Sequence, residues 1–176
     1  MVTHMRRFLA MITLLVAATA LPATPALADH PSPGAVRTAV NKAEKSSSLW
    51  ATVNICNSRR DRNDLGIRGQ MPSLGFAAWM SMDIKLYYYS NQKRYLPVPT
   101  RGSKLVRLGR SSSGLHQSGA MFQFSPHQPR LKAVVTFIWR RSGQLLGKTT
   151  RTTTARHRNA DFASPPHYSA ATCTIK

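Results

Sequence analysis

Acidic residues are scarce in this chain: 6 Asp and Glu stand against 25 Lys and Arg among 176 residues. The six are Asp29, Glu44, Asp61, Asp64, Asp83 and Asp161. Glycoside hydrolysis usually requires two carboxylates that flank one bond. Asp64 and Asp161 are far apart in sequence, and nothing in their spacing brings them together, so the sequence argues against a glycosidase.

Clusters of metal ligands and nucleophile motifs are also missing. The histidines after residue 28 are scattered at His30, His116, His127, His157 and His167, without the spacing that would place two on one helix face. Ser113 and His116 lie in a glycine-flanked stretch without the elbow of a serine hydrolase, which favours a flexible hairpin connection. Glycine loops for phosphate, dinucleotide fingerprints and haem motifs are absent. We therefore expect no metal and no cofactor.

No apolar run reaches the roughly 20 residues that a membrane-spanning helix needs. The run Phe8–Leu21 follows two arginines and precedes a stretch of small residues that ends at Ala28. This order of basic, apolar and small residues is typical of a secretory signal peptide. We predict that residues 1–28 are a signal peptide cleaved near Ala28-Asp29. The product would be a secreted chain without a transmembrane segment.

Only two cysteines are present, Cys56 and Cys173. In an oxidising compartment two cysteines are more often paired than free, so we predict a Cys56–Cys173 disulfide that ties the first strand to the last segment. Leu49, Ala51, Val53 and Ile55 define an apolar face of the first strand, and Cys56 has the opposite parity. A bulge or strand end near Ile55 would bring the thiol into position.

Residues 29–48 have the composition of a linker, with prolines at the start and a serine run at the end. Between them, Val36, Ala39, Val40 and Ala43 recur at helical spacing. We predict one short, marginally stable helix here, because isolated helices of this length rarely persist in water.

From residue 49 onward the apolar period becomes two. Met80, Met82, Ile84, Leu86 and Tyr88 alternate with more polar residues, which predicts a long half-buried strand. LKAVVTFIW is apolar on both faces and predicts a central strand, while Pro97 and Pro99 indicate a sheet edge. Residues 49–176 therefore predict an all-β domain, an antiparallel β-sandwich of about eight or nine strands.

The segments WATVNIC, DLGIRGQMP, VTFIWRRSG and YSAATC give the chain a resemblance to small, uncharacterised exported proteins of actinobacteria. The resemblance covers about residues 49–176, implies an immunoglobulin-like sandwich and brings no catalytic residues. Trp79 follows Cys56 as a strand-C tryptophan would. However, the cysteine spacing is too long for the usual inter-sheet bridge, and Tyr168 lies five residues before Cys173 instead of two.

Basic residues are abundant and form three clusters. The clusters are Arg59, Arg60 and Arg62; Arg140 and Arg141; and Arg151, Arg156 and Arg158. Loss of the predicted signal peptide would leave 23 basic and 6 acidic residues, a formal charge of +17. We predict these arginines as candidate contacts for an extracellular polyanion, without specific recognition of nucleic acid. The alternatives are a solvated basic surface and the codon bias of a GC-rich genome, since arginine outnumbers lysine 17 to 8.

Three consecutive tyrosines must face both sides of the sheet. Tyr88 shares the parity of the core residues, so Tyr87 and Tyr89 would stand on the outer face beside lysines. Ordinary strand propensity explains such tyrosines. The alternative is an aromatic contact platform for a glycan or a single-stranded nucleic acid.

These observations favour an exported, non-catalytic module that binds or decorates the cell envelope, with an anionic envelope polymer or an extracellular protein as partner. The alternative is a secreted enzyme of unrecognised type, such as a hydrolase acting on envelope polymers. An enzyme would gather at least two of its acidic and histidine side chains in one cleft. The candidates are Asp64, Asp83, Asp161, His116, His157 and His167.

Overall fold

The computed structural model describes residues 31–176, so the predicted signal peptide lies outside the described residues. The elements are α1 (Pro33–Glu44), β1 (Trp50–Cys56), β2 (Asp64–Pro72), β3 (Ala78–Tyr89), β4 (Tyr95–Pro97), β5 (Ser103–Ser111), β6 (Leu115–Gln123), β7 (Leu131–Arg141) and β8 (Gln144–Thr152). The all-β prediction and its strand count are confirmed by these eight strands.

The strands form two antiparallel sheets packed face to face. One sheet has three strands in the order β1-β2-β6, and the other has β3 at its centre, with β7 and then β8 on one side and β4 and β5 on the other. This is the order in which strands A, B, E and C′, C, F, G occur in an immunoglobulin-type sandwich. The predicted edge position of the proline-containing segment is confirmed, because β4 pairs only with the end of β3.

The core lies between the sheets and follows the period-two pattern of the sequence. Alternate residues of β3 from Met80 to Leu86 and of β7 from Leu131 to Trp139 are almost fully buried. Trp139 Nε1–H donates to the Pro72 carbonyl oxygen over 3.0 Å, so its one polar atom is satisfied inside the core. Trp79 does lie in β3, the strand that corresponds to strand C, but it faces outward and is 57% exposed, so it is not the buried tryptophan of an immunoglobulin domain.

Helix α1 closes the core where the three-stranded sheet does not reach. The Ser32 side chain caps its first turn by accepting from Ala35 N–H over 3.2 Å. Val40 and Ala43 are buried, and a Cβ on Gly147 would collide with Val40. Gly147 pairs with the buried Trp139, so the helix packs on the inner side of β8. Tertiary packing rather than propensity therefore holds this short helix in place.

The predicted last strand is not a regular strand. The segment after Thr152 instead makes isolated bridges, from Ala170 to Val53 in one sheet and from Cys173 to Leu131 in the other. The Cys56–Cys173 disulfide is confirmed, with the two Cα atoms 5.5 Å apart. The predicted bulge is confirmed as well, since the β1–β2 register shifts between Val53 and Ile55.

This C-terminal tail, residues 153–176, covers the outward side of β1. Thr52 and Asn54 are 0% and 2% exposed although they alternate with core residues. The Thr52 hydroxyl lies 2.7 Å from the Ser169 hydroxyl. Asn54 Nδ2–H donates to the Asp161 carbonyl oxygen over 2.9 Å. The β1 side of the three-stranded sheet is thus closed by the chain itself, whereas the five-stranded sheet keeps an open outer side.

Candidate functional site

The open side of the five-stranded sheet carries an exposed tryptophan between two arginines. Strand register places Arg110 of β5 and Arg140 of β7 opposite Trp79 of β3, one on each side. Residues directly opposite each other on neighbouring strands share a face and lie within side-chain contact. Leu145 of β8, which is 47% exposed, extends the row beyond Arg140. The row therefore holds an exposed indole with one arginine on each side, and the Arg140 guanidinium donates to the Gly143 carbonyl oxygen over 3.3 Å.

Cations dominate the rest of this surface, which we call the outer face. Its basic residues, assigned from alternation and register, are Lys85, Arg107, Arg110, Lys132, Arg140 and Lys148. Asp83 is the acidic residue that register places among them, and its carboxylate lies 3.6 Å from Lys85 Nζ. Both groups are solvated, so this ion pair contributes little to stability. The outer face therefore has a strong positive excess.

Tyrosines continue the outer face toward the end of β3. Register places Tyr87 opposite Lys132 and Tyr89 opposite Tyr95. The Tyr89 and Tyr95 rings meet edge to face with centroids 5.1 Å apart. Lys132 Nζ lies 4.0 Å from the Tyr95 centroid, and the Arg130 guanidinium carbon lies 5.8 Å from that of Tyr89. The predicted contact residues Tyr87 and Tyr89 thus belong to a cluster of rings and cations.

The structure does not bring the three predicted arginine clusters to one place. Arg59, Arg60 and Arg62 lie in the β1–β2 loop, at the end of the sandwich where β7 begins. Arg140 and Arg141 lie where β7 ends, and the 11 residues of β7 span roughly 35 Å. In the β1–β2 loop, hydrogen bonds from Ser164 and Ser58 lower the pKa of Asp61.

The third cluster is itself divided. Arg151 is half-buried and donates to the carbonyl oxygens of Glu44 and Thr150, so it ties α1 to β8. Arg156 is exposed on the tail. Arg158 lines a shallow depression of about 360 Å³ that Phe162 and His167 also line. Polyanion binding by these arginines stays a prediction, and Arg140 is the member that shares the outer face with Trp79.

One histidine of the tail is held against β1. The imidazole of His157 stacks on Trp50 with ring centroids 4.5 Å apart, and its Nε2 lies 2.9 Å from the Thr154 hydroxyl. Burial lowers the pKa of His157 below its ordinary value. On the neighbouring strand β2, the Arg68 guanidinium carbon lies 5.0 Å from the ring centroid of Phe162 in the tail, and burial lowers the pKa of Arg68. Both histidine and arginine help to fasten the tail.

The acidic and histidine side chains that an enzyme would gather are dispersed over the described part of the chain. Of the six candidates, His167 lines the shallow depression beside Arg158, and none of the other five lines that depression or the two larger clefts among residues 31–176. Within the same range, no three His, Cys, Asp or Glu side chains are grouped as metal ligands. Nor is any helix among these residues both long and apolar enough to cross a membrane.

Sequence reasoning missed most of the outer face, above all Trp79, Arg107 and Arg110. The signal was present in β3, where the parity that buries Met80 and Met82 also turns Trp79 outward. For β5 the pattern is weak, because its strand is exposed on most positions. A scan against models of known protein families finds no match to this chain. A search of curated proteins finds no significant match either.

Proposed function

We propose that the protein is an exported, non-catalytic binding module that holds an anionic polymer of the cell envelope on its outer face. The observation that carries the proposal is the row formed by Trp79, Arg110 and Arg140 on an open sheet side rich in cations. The disulfide between Cys56 and Cys173 supports an oxidising location outside the cytoplasm.

The chemistry of the row suits a polymer that carries phosphate or carboxylate groups on a sugar or polyol chain. Guanidinium groups bind such anions through paired hydrogen bonds, and they stay charged at any physiological pH. The exposed indole offers an apolar surface on which a sugar ring can stack. Cations repeat along several strands rather than converging on one point, which favours an extended ligand over a single small ion.

The proposal predicts salt-dependent binding to poly(glycerol phosphate) and none to dextran, a neutral polymer. Because each neutralised phosphate releases counterions, affinity should fall linearly on a double-logarithmic plot between 50 and about 300 mM salt. Replacement of Arg110 and Arg140 by glutamine should make the salt slope shallower by roughly 1.5–2, since two contacts are lost. Trp79→Ala should weaken binding by about tenfold with the slope unchanged. Calorimetric titration measures all of these quantities.

The matched control is the Arg59→Gln/Arg62→Gln double variant, which removes the same charge from the opposite end of the sandwich. It should keep the salt slope of the unmodified protein. If the salt slope of this variant becomes as shallow as that of the Arg110/Arg140 variant, binding depends on net charge and not on the outer face. Equal affinity for dextran and poly(glycerol phosphate) would contradict the proposal outright.

A further inference from the structure

A cleft of about 680 Å³ opens at the end of the sandwich where β7 begins. Small-molecule sites in proteins usually measure about 300–1,000 Å³, so this cleft has a suitable size. Its apolar lining comes from Tyr88, Val98, Phe122, Phe124 and Leu131. Phe122 and Leu131 belong to the core between the two sheets, so the cleft lies against the edge of that core.

The charged part of the lining is positive. Arg101 and Lys104 line the cleft, and its lining residues include no Asp or Glu. Both cations are exposed, which places them at the mouth. Lys104 Nζ lies 5.0 Å from the Phe122 ring centroid and donates to the Met121 carbonyl oxygen, so this cation is held beside the apolar wall. Apolar walls below a cationic mouth are complementary to an apolar chain with an anionic head.

The loop that carries Arg101 is fixed in shape. Leu86 N–H donates to the Gly102 carbonyl oxygen over 2.7 Å, and Val98 N–H donates to the Leu86 carbonyl oxygen over 2.9 Å, so both loop ends attach to one residue of β3. Gly102 packs so closely on Val98 that a Cβ would collide with the Val98 carbonyl oxygen. Thr100 and Arg101 adopt φ of 40° and 62°, a conformation that such residues rarely take. Conformations of this kind concentrate at ligand-binding loops.

We propose that this cleft binds a single-chain anionic amphiphile, with the acyl chain along the apolar walls of the cleft and a carboxylate or phosphate head beside Arg101 and Lys104. The cleft uses none of the outer-face residues, so the inference is independent of the polymer-binding proposal. A cationic head would meet Arg101 and Lys104 with like charge.

Calorimetric titration with decanoate and dodecanoate below their micelle concentrations tests whether affinity depends on the length of the acyl chain. Each methylene buried should raise affinity by about fourfold, which corresponds to ~0.8 kcal/mol, so dodecanoate should bind roughly 15-fold tighter than decanoate. Decanol tests the charge of the head and should bind at least tenfold more weakly than decanoate. Dodecyl phosphate tests whether the preferred head group is a phosphate or a carboxylate. The preferred head group is that of whichever anion, dodecyl phosphate or dodecanoate, binds more tightly.

Two variants locate the site. Ser125 is exposed and lines the cleft, so Ser125→Trp should fill the mouth and abolish binding. Arg101→Gln/Lys104→Gln should weaken decanoate binding to the level of decanol, the neutral alcohol of the same chain length. Arg107→Gln/Lys148→Gln, on the outer face, is the matched control and should bind decanoate and dodecanoate as tightly as the unmodified protein does. Thermal melting of each variant checks that it is folded.

The proposal is overturned if affinity does not depend on chain length, or if a folded Ser125→Trp variant binds dodecanoate as the unmodified protein does. Equal binding of decanol and decanoate would remove the role of the two cations. Equal binding of dodecyltrimethylammonium would show that the surface takes up any amphiphile. Loss of polymer binding in the outer-face variants would leave all of these outcomes unchanged, so the two proposals fail separately.

Discussion

At the scale of single residues, the contact between His157 and Trp50 makes the attachment of the C-terminal tail sensitive to pH. The imidazole stacks on the indole, and the backbone N–H of His157 donates to the Ser169 hydroxyl over 2.8 Å. Burial disfavours the charged imidazolium in this position, so the folded chain prefers the neutral ring. The unfolded chain has no such preference and takes up the proton more readily.

We therefore predict that the contribution of His157 to the free energy of unfolding is fully present above about pH 6.5, the ordinary pKa of histidine. This contribution is lost as the pH falls below that value. Below that value the unfolded state binds more protons than the folded state, and protonation favours unfolding. Melting temperatures between pH 7.5 and 5.5 measure the slope, and His157→Gln should flatten it. His127→Gln, a substitution at an exposed histidine outside the tail, is the control. An unchanged slope in His157→Gln would show that another group is responsible.

At the scale of elements, the packing of α1 on β8 depends on one glycine. A Cβ on Gly147 would overlap a methyl group of Val40, which is itself buried. Helix α1 is thus a fitted part of the sandwich, and its position is set by the absence of a side chain on the facing strand.

Gly147→Ala should destabilise the protein by about 1–3 kcal/mol, as overpacking of a tight contact usually does. Val40→Ala should also destabilise by removing buried methyl groups. The double variant should be less destabilised than the sum of the two, because the smaller residue on the helix makes room for the larger one on the strand. Urea unfolding measures all three. Gly34→Ala, where an added Cβ meets no close neighbour, controls for the glycine substitution itself. Strict additivity would contradict the proposed contact.

The strands were predictable from the sequence, because alternation within a single segment encodes which residues face the core. The same local pattern predicted the edge strand, the central β7 and the bulge before Cys56. Docking of α1 and the irregular path of the tail were not predictable, since both depend on partners more than 100 residues away, such as Glu44 for Arg151. The outer face was predictable only in part. The bulge between Met80 and Ser81 decides which arginine of β5 stands opposite Trp79, and the bulge between Trp139 and Arg140 places Leu145 beside Arg140.

At the scale of the whole molecule, the disulfide joins the two sheets through the tail. Cys56 ends a strand of one sheet, while Cys173 pairs with Leu131 at the start of a strand of the other. The bridge closes a sequence separation of 117 residues. In the chain-entropy model, a cross-link of this span restricts the unfolded chain strongly.

Replacement of both cysteines by alanine should lower the free energy of unfolding by about 2–5 kcal/mol. For a domain of this size that corresponds to a fall in melting temperature of roughly 10 °C. Scanning calorimetry with and without reductant measures the effect, since reduction of the unmodified protein should reproduce the variant. Thiol titration of denatured, non-reduced protein provides the control and should find no free thiol. Two reactive thiols per chain would show that the bridge does not form.

The covering of β1 by the tail also sets when the fold can be completed. Thr52 meets Ser169, Asn54 meets Asp161 and Cys56 meets Cys173, all across more than 100 residues of chain. Such long-range contacts form late, because the ends of a long loop must first be brought together. A chain still being synthesised lacks its final segment and cannot seal this side of the sandwich. In the export that we propose, closure of this side of the sandwich would therefore wait until residues 153–176 have joined β1.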